Sequence, residues 1–188
     1  MKKLVFITVC LVAFAISGFA QSEFSGEKGI SSIGVIAGYA VDNKSLTIGA
    51  DYRYNIMDNV RLAPSALYVL ENDYVSRFYA NADVHYLARI TDEITLYPIG
   101  GLGISATKFG SYSGVHGDLE DAGYWPSYGS FYDFTKSETK IRVGLNLGFG
   151  GEVRVTKDII VGAEFRYNLT TERAYDQAML LARAAYYF

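Results

Sequence analysis

Four acids and eight arginines recur at alternate positions of this chain: Asp51, Asp83, Glu152 and Glu164 against Arg53, Arg61, Arg77, Arg89, Arg142, Arg154, Arg166 and Arg183. If those positions converge on one interior, the groups must pair, because an unpaired buried ion costs several kcal/mol, on the order of the stability of a domain. Counting along each segment puts Asp51, Asp83, Glu164 and Arg183 near mid-depth, with Asn146 beside them. A carboxylate–arginine network is therefore expected from Asp51, Arg53, Asp83, Arg142, Glu164, Arg166 and Arg183, with Gly49, Gly144, Gly148 and Gly162 making room for the long side chains. Such a network is either a gate in a narrow pore or a structural plug.

Other chemistry is thinly represented. The two histidines, His85 and His116, have no serine and acid at a recognisable spacing, so no catalytic residue is assigned and no enzyme is expected. Asp118-Leu119-Glu120-Asp121 offers oxygens to a hard cation but lacks the spacing of a calcium loop. No metal or cofactor site follows.

The elements that must position these charges are strands. In 45–55, Leu46, Ile48, Ala50, Tyr52 and Tyr54 alternate with Thr47, Gly49, Asp51, Arg53 and Asn55. The same period of two runs through 76–90, 159–170 and 177–188, and with less contrast through 30–41, 60–70, 94–107 and 139–155. A helical period would scatter the apolar set. Pro64 and Pro98 are expected near strand ends, because proline cannot donate to a ladder. The chain thus reads as all-β, with eight antiparallel up-and-down strands. Short connectors rich in Asp and Asn at 57–59, 91–93 and 156–158 are expected at one end. At the other end lie 42–44, 71–75, 171–176 and one long loop near 108–138.

Residues 1–20 have the basic start, short apolar stretch and Gly18-Phe19-Ala20 site of an export signal. The apolar stretch is shorter than the roughly 20 residues of a spanning helix. A barrel domain is expected over 21–188. Removing the signal lowers the net charge from −3 to −5 and takes away Cys10, so neither nucleic-acid binding nor thiol chemistry is expected. Alternation alone does not say whether the apolar face points inward, around a lipocalin-like pocket, or outward to lipid. The apolar faces carry no charge between their ends, and lipid penalises Arg or Lys at its midplane by about 2–4 kcal/mol. Aromatics on those faces also cluster by depth. Tyr39, Tyr68, Phe78 and Tyr167 fall near the outer ends, and Tyr52, Tyr54, Tyr86, Phe149, Tyr186 and Phe188 near the inner ends. Two girdles of this kind mark two interfaces, and a transmembrane β-barrel is expected.

The signal, the eight alternating segments, the stretch Gly100-Gly101-Leu102-Gly103 and the ending Leu180, Ala182, Ala184, Tyr186, Phe188 together resemble the small eight-stranded outer-membrane β-barrel family of the OmpA-transmembrane and OmpX type. The resemblance covers essentially all of 21–188. It implies the outer membrane of a Gram-negative-type bacterium, lipid as a partner, and a barrel assembly machinery that reads a terminal signal such as Tyr186 and Phe188. Some small outer-membrane barrels modify lipid A through a Ser–His–acid set, which neither histidine here matches.

The long loop at 108–138 carries Tyr112, Tyr124, Trp125, Tyr128, Phe131 and Tyr132 among Gly, Ser and acids. Exposed aromatics interleaved with small polar residues suit recognition of an extracellular ligand or surface partner. The plainer alternative is a loop that folds over the barrel mouth. The leading expectation is a surface-interaction protein with a plugged polar lumen; the alternative is a narrow channel for small solutes.

Overall fold

The computed structural model describes residues 28–72, 74–109 and 138–188. The export signal and the loop aromatics Tyr112, Tyr124, Trp125, Tyr128, Phe131 and Tyr132 lie outside those residues. Among the described residues the chain forms eight strands: β1 (Ser31–Ala40), β2 (Ser45–Met57), β3 (Val60–Asn72), β4 (Val75–Tyr86), β5 (Ile94–Phe109), β6 (Glu138–Arg154), β7 (Ile159–Thr170) and β8 (Gln177–Tyr187). A two-residue extension, Ala88–Arg89, continues β4 beyond a break at Leu87 and pairs with the same neighbour. Each strand pairs antiparallel with the next, and β1 pairs with β8, so the sheet closes on itself. The expected all-β, eight-stranded up-and-down barrel is what forms. The strands run from 10 to 17 residues, enough for a tilted crossing, which takes about 9–11.

Period two dictates this wall. Successive side chains of a strand point to opposite faces, and here the outward positions between strand ends hold Ala, Val, Ile, Leu, Phe, Tyr, Gly or Pro except near the outer strand ends, where Lys108 and Thr139 pair. Ile33, Val35, Leu102, Ile104, Ile141 and Val143 are each more than half exposed on that face. The inward positions carry nearly all of the polar side chains.

The end with the start of β1 and the finish of β8 is termed inner. Two of its turns are built alike. Thr91 Oγ1 accepts from the backbone N–H of Ile94 at 3.0 Å, and Thr156 Oγ1 accepts from that of Ile159 at 3.0 Å. These are side-chain-stabilised turns of the kind Thr and Asp favour.

The prolines are not at strand ends. Pro64 lies inside β3, paired with Ala82 on one side, while the ladder to β2 is interrupted between Leu62 and Ser65. Pro98 lies inside β5, paired with Phe149, opposite the gap where the ladder to β4 stops at His85 and resumes at Ala88. Each missing N–H falls where the ladder is already broken. A local break, and not an end, accommodates it.

Candidate functional site

An eight-stranded barrel leaves an interior just wide enough for side chains to fill, and here ions fill its middle. Arg53 is the hub. Its Nε donates to Asp51 Oδ2 at 2.6 Å, Nη1 to Tyr97 Oη at 2.9 Å and Glu152 Oε2 at 3.3 Å, and Nη2 to Glu164 Oε1. Arg183 Nε holds Asp51 from the other side at 2.7 Å, and its Nη2 donates to Ser32 Oγ at 3.0 Å. Arg61 grips Glu152 with two nitrogens, at 2.9 and 2.6 Å. Arg166 bridges Glu164 at 2.9 Å and Asp83 at 2.8 Å. Asn146 extends the chain from Asp83 at 2.8 Å to Asn81 at 3.0 Å, and accepts from Asn168 at 2.6 Å.

Four guanidiniums therefore meet four carboxylates, all buried. With Ser32 on β1 and Tyr97 on β5, every strand of the barrel contributes at least one member. Bidentate and shared geometry of this kind is what makes buried Arg–carboxylate pairs tolerable. A Cβ at position 34 would stand 2.6 Å from Asp51 Oδ1 and 2.7 Å from Arg183 Nε, so glycine there is what lets that pair reach the wall. Gly150 does the same beside the Tyr97 ring. The glycines expected in that role divide into two pairs. Gly49 lies against Leu67, Gly144 against Asn168, Gly148 against strand backbone and Gly162 against Glu152. Gly148 and Gly162 stand level with the network as register partners of Arg166 and Arg183, whereas Gly49 and Gly144 lie nearer the outer ends, a difference of depth that parity does not encode.

Of the seven residues expected in the network, the structure brings together Asp51, Arg53, Asp83, Glu164, Arg166 and Arg183. Arg142 stands apart. It lies toward the outer end, where it reaches Glu172 at 3.2 Å and stacks on the Tyr175 ring with Cζ 3.4 Å from the centroid. Its parity is right and its depth is not. Tyr97 is the member that sequence reasoning missed. It shares parity with Thr95 and Ile99, but the Gly-rich stretch that follows obscures the alternation. Its hydroxyl donates to Glu164 at 2.9 Å, and His85 stacks on its ring at 4.7 Å. Neither nitrogen of His85 has a hydrogen-bond partner, so it fills space beside the network without extending it.

A second layer was also missed. Ile36, Ala40, Leu67, Val69, Tyr79, Met179 and Leu181 form a buried apolar cluster toward the outer ends of β1, β3, β4 and β8. Met179 and Leu181 share parity with Arg183, and Leu67 and Val69 with Arg61; that shared phase was the available signal. At the inner mouth, Arg61, Leu87, Thr95, Glu152, Ile160 and Tyr187 line a recess with about 10 Å³ of enclosed space, room for about one water.

The aromatics expected in girdles lie on the outward face. Tyr39, Tyr68, Phe78 and Tyr167 belong to the outer halves of their strands, with Tyr68 directly opposite Phe78. Tyr52, Tyr54, Tyr86, Phe149, Tyr186 and Phe188 belong to the inner halves and are all exposed. Tyr186 and Tyr52 flank Ile33 in adjacent strands.

Comparison with known proteins agrees with this architecture. A family model described as outer membrane protein beta-barrel domain matches residues 6–188. No curated protein sequence matches the chain. Among solved structures, the N-terminal β-barrel domain of Pseudomonas aeruginosa OprF superposes with a TM-score of 0.58 at 16% identity, covering 86% of this chain and 98% of that one. Ail, the attachment invasion locus protein of Yersinia pestis, in complex with the heparin analogue sucrose octasulfate, gives 0.57 at 18% identity, covering 86% and 99%. Neisserial surface protein A gives 0.53 at 13% identity, covering 84% and 94%. At these identities the likeness concerns the fold.

Proposed function

The chain belongs to the outer membrane protein beta-barrel domain family, and from that premise we propose that it is a closed outer-membrane barrel whose work is done at its outer surface. Its outward band faces lipid, with the two sets of aromatics at the two interfaces. The inner turns, the start of β1 and the finish of β8 face the periplasm, and the long loop faces outward, the asymmetry usual for such barrels. Residues 1–20 direct export from a Gram-negative-type cell and are removed, and Tyr186 and Phe188 serve the barrel assembly machinery. The chemistry of the lumen supports a structural role and no enzymatic one.

The observation that carries this reading is the filled lumen. The ionic network ties all eight strands together across the middle, and the apolar cluster packs the outer half of one side. Little room is left for a solute to pass. Function then moves to the loop at 108–138, with Tyr112, Tyr124, Trp125, Tyr128, Phe131 and Tyr132 as contact residues. Its acids Asp118, Glu120, Asp121 and Asp133 suit a neutral or basic partner.

Reconstitution of the mature protein in a planar bilayer tests the closed lumen. The unmodified protein is expected to be silent, and Arg183→Ala to leak. Discrete openings in the unmodified protein would overturn the reading in favour of a narrow solute channel.

A further inference from the structure

The buried arginines of the lumen fall into two groups. Arg53, Arg61, Arg166 and Arg183 are matched one for one by Asp51, Asp83, Glu152 and Glu164. Arg77 and Arg142, both 5% exposed, are left over near the outer mouth. Among the described residues Arg77 has only neutral acceptors: its Nη1 reaches Tyr79 Oη at 3.1 Å, the Tyr175 carbonyl at 3.2 Å and Gln177 Oε1 at 3.4 Å. The sole carboxylate on Arg142 among the described residues is that of Glu172, whose side chain is 61% exposed. An exposed partner of this kind offsets little of a buried charge.

Arg77 Nε, Arg142 Nη1 and Thr107 Oγ1 are buried and have no partner among the described residues; Arg166 Nη2 and Arg183 Nη1 share that state, but there the charge itself is matched by buried carboxylates. Thr107 is the register partner of Arg77, and Ser105 that of Arg142, so the four side chains sit on three neighbouring strands. The Tyr175 ring lies beside both guanidiniums, 5.8 Å from Arg77 Cζ and 3.4 Å from Arg142 Cζ. Two buried cations with unpartnered N–H groups, beside an unpartnered hydroxyl, have only the exposed Glu172 carboxylate between them among the described residues. Guanidinium forks match the oxygens of phosphate and sulfate groups.

We propose that Arg77, Arg142 and Thr107 form a binding site at the outer mouth of the lumen for a phosphate-class oxyanion, free or borne on a lipid headgroup. The site is built from strand residues and does not depend on the role assigned to the long loop.

Isothermal titration of inorganic phosphate into the mature protein, refolded in neutral-headgroup micelles, tests it directly. Saturable one-site binding is expected, weakened at least tenfold in Arg77→Gln and Arg142→Gln and unchanged in Arg173→Gln, whose side chain is exposed on the same outer turn. Thr107→Val, which keeps the side-chain volume, is expected to weaken binding several-fold and covers the case in which an arginine variant does not fold. Vesicles with and without phosphatidic acid form the second arm. Binding to those vesicles alone would assign the oxyanion to a lipid. No saturable binding in either arm would overturn the proposal, as would equal loss in Arg173→Gln. So would phosphate binding that appears only when Asp118, Glu120, Asp121 and Asp133 are all neutralised, since the chain would then supply its own counter-ion.

Discussion

At mid-depth in the lumen, Arg53, Arg61, Arg166 and Arg183 face four buried carboxylates; toward the outer rim, Arg77 and Arg142 face a tyrosine ring, neutral oxygens and one exposed glutamate. The residue type and the inward direction are the same in both regions. What differs is whether the opposing strands deliver an acid at the same height. In the middle they do, and each guanidinium meets a buried carboxylate, although Arg166 Nη2 and Arg183 Nη1 have no partner among the described residues. At the rim, among the described residues, they do not, and Arg77 has only neutral oxygens beside it. The first arrangement suits holding the wall together, the second suits meeting something from outside.

The comparison breaks most readily at its hub. Arg53→Ala removes a cation shared by Asp51, Glu152 and Glu164 and should cost about 3–5 kcal/mol, the usual penalty for breaking a buried ion cluster. Urea-induced unfolding in micelles measures it, and a loss below about 1 kcal/mol would mean the network is decorative. Leu67→Ala tests the apolar layer beside it. Leu67 is fully buried, so a cavity cost of about 2–5 kcal/mol is expected in the same assay, toward the lower end because Gly49 and Leu181 border the space. Arg142→Ala should be the mildest, below about 1 kcal/mol, because its only carboxylate among the described residues is exposed. An Arg142→Ala loss equal to that of Arg53→Ala would erase the distinction between rim and middle.

Much of this architecture is legible in the sequence. Lys, Arg, Asp and Glu stay out of the outward phase except for Lys108 at the outer end of β5, and the pleat converts that phase directly into an apolar outward face. The Thr91 and Thr156 turns are marked by their own residues. What parity omits is height. Arg142 has the phase of Glu152 but sits too near the rim to join it. Arg53 finds Glu152 across 99 residues of sequence, a meeting fixed by the stagger of strands around the barrel, which no single segment reveals. Pro64 and Pro98 show the same limit: each is placed by a gap in the neighbouring ladder, not by anything in its own strand.

The bond from Arg183 to Ser32 joins the last strand to the first across 151 residues of chain. Because the network draws on every strand, a barrel missing one strand, or not yet sealed between β1 and β8, holds at least one charge without its partner. Intermediates of that kind gain little from the interior, so the energetic reward for assembly arrives late and all at once. The same ion cluster that holds the finished wall thus acts as a proofreading step, favouring the sealed barrel over every open form that precedes it.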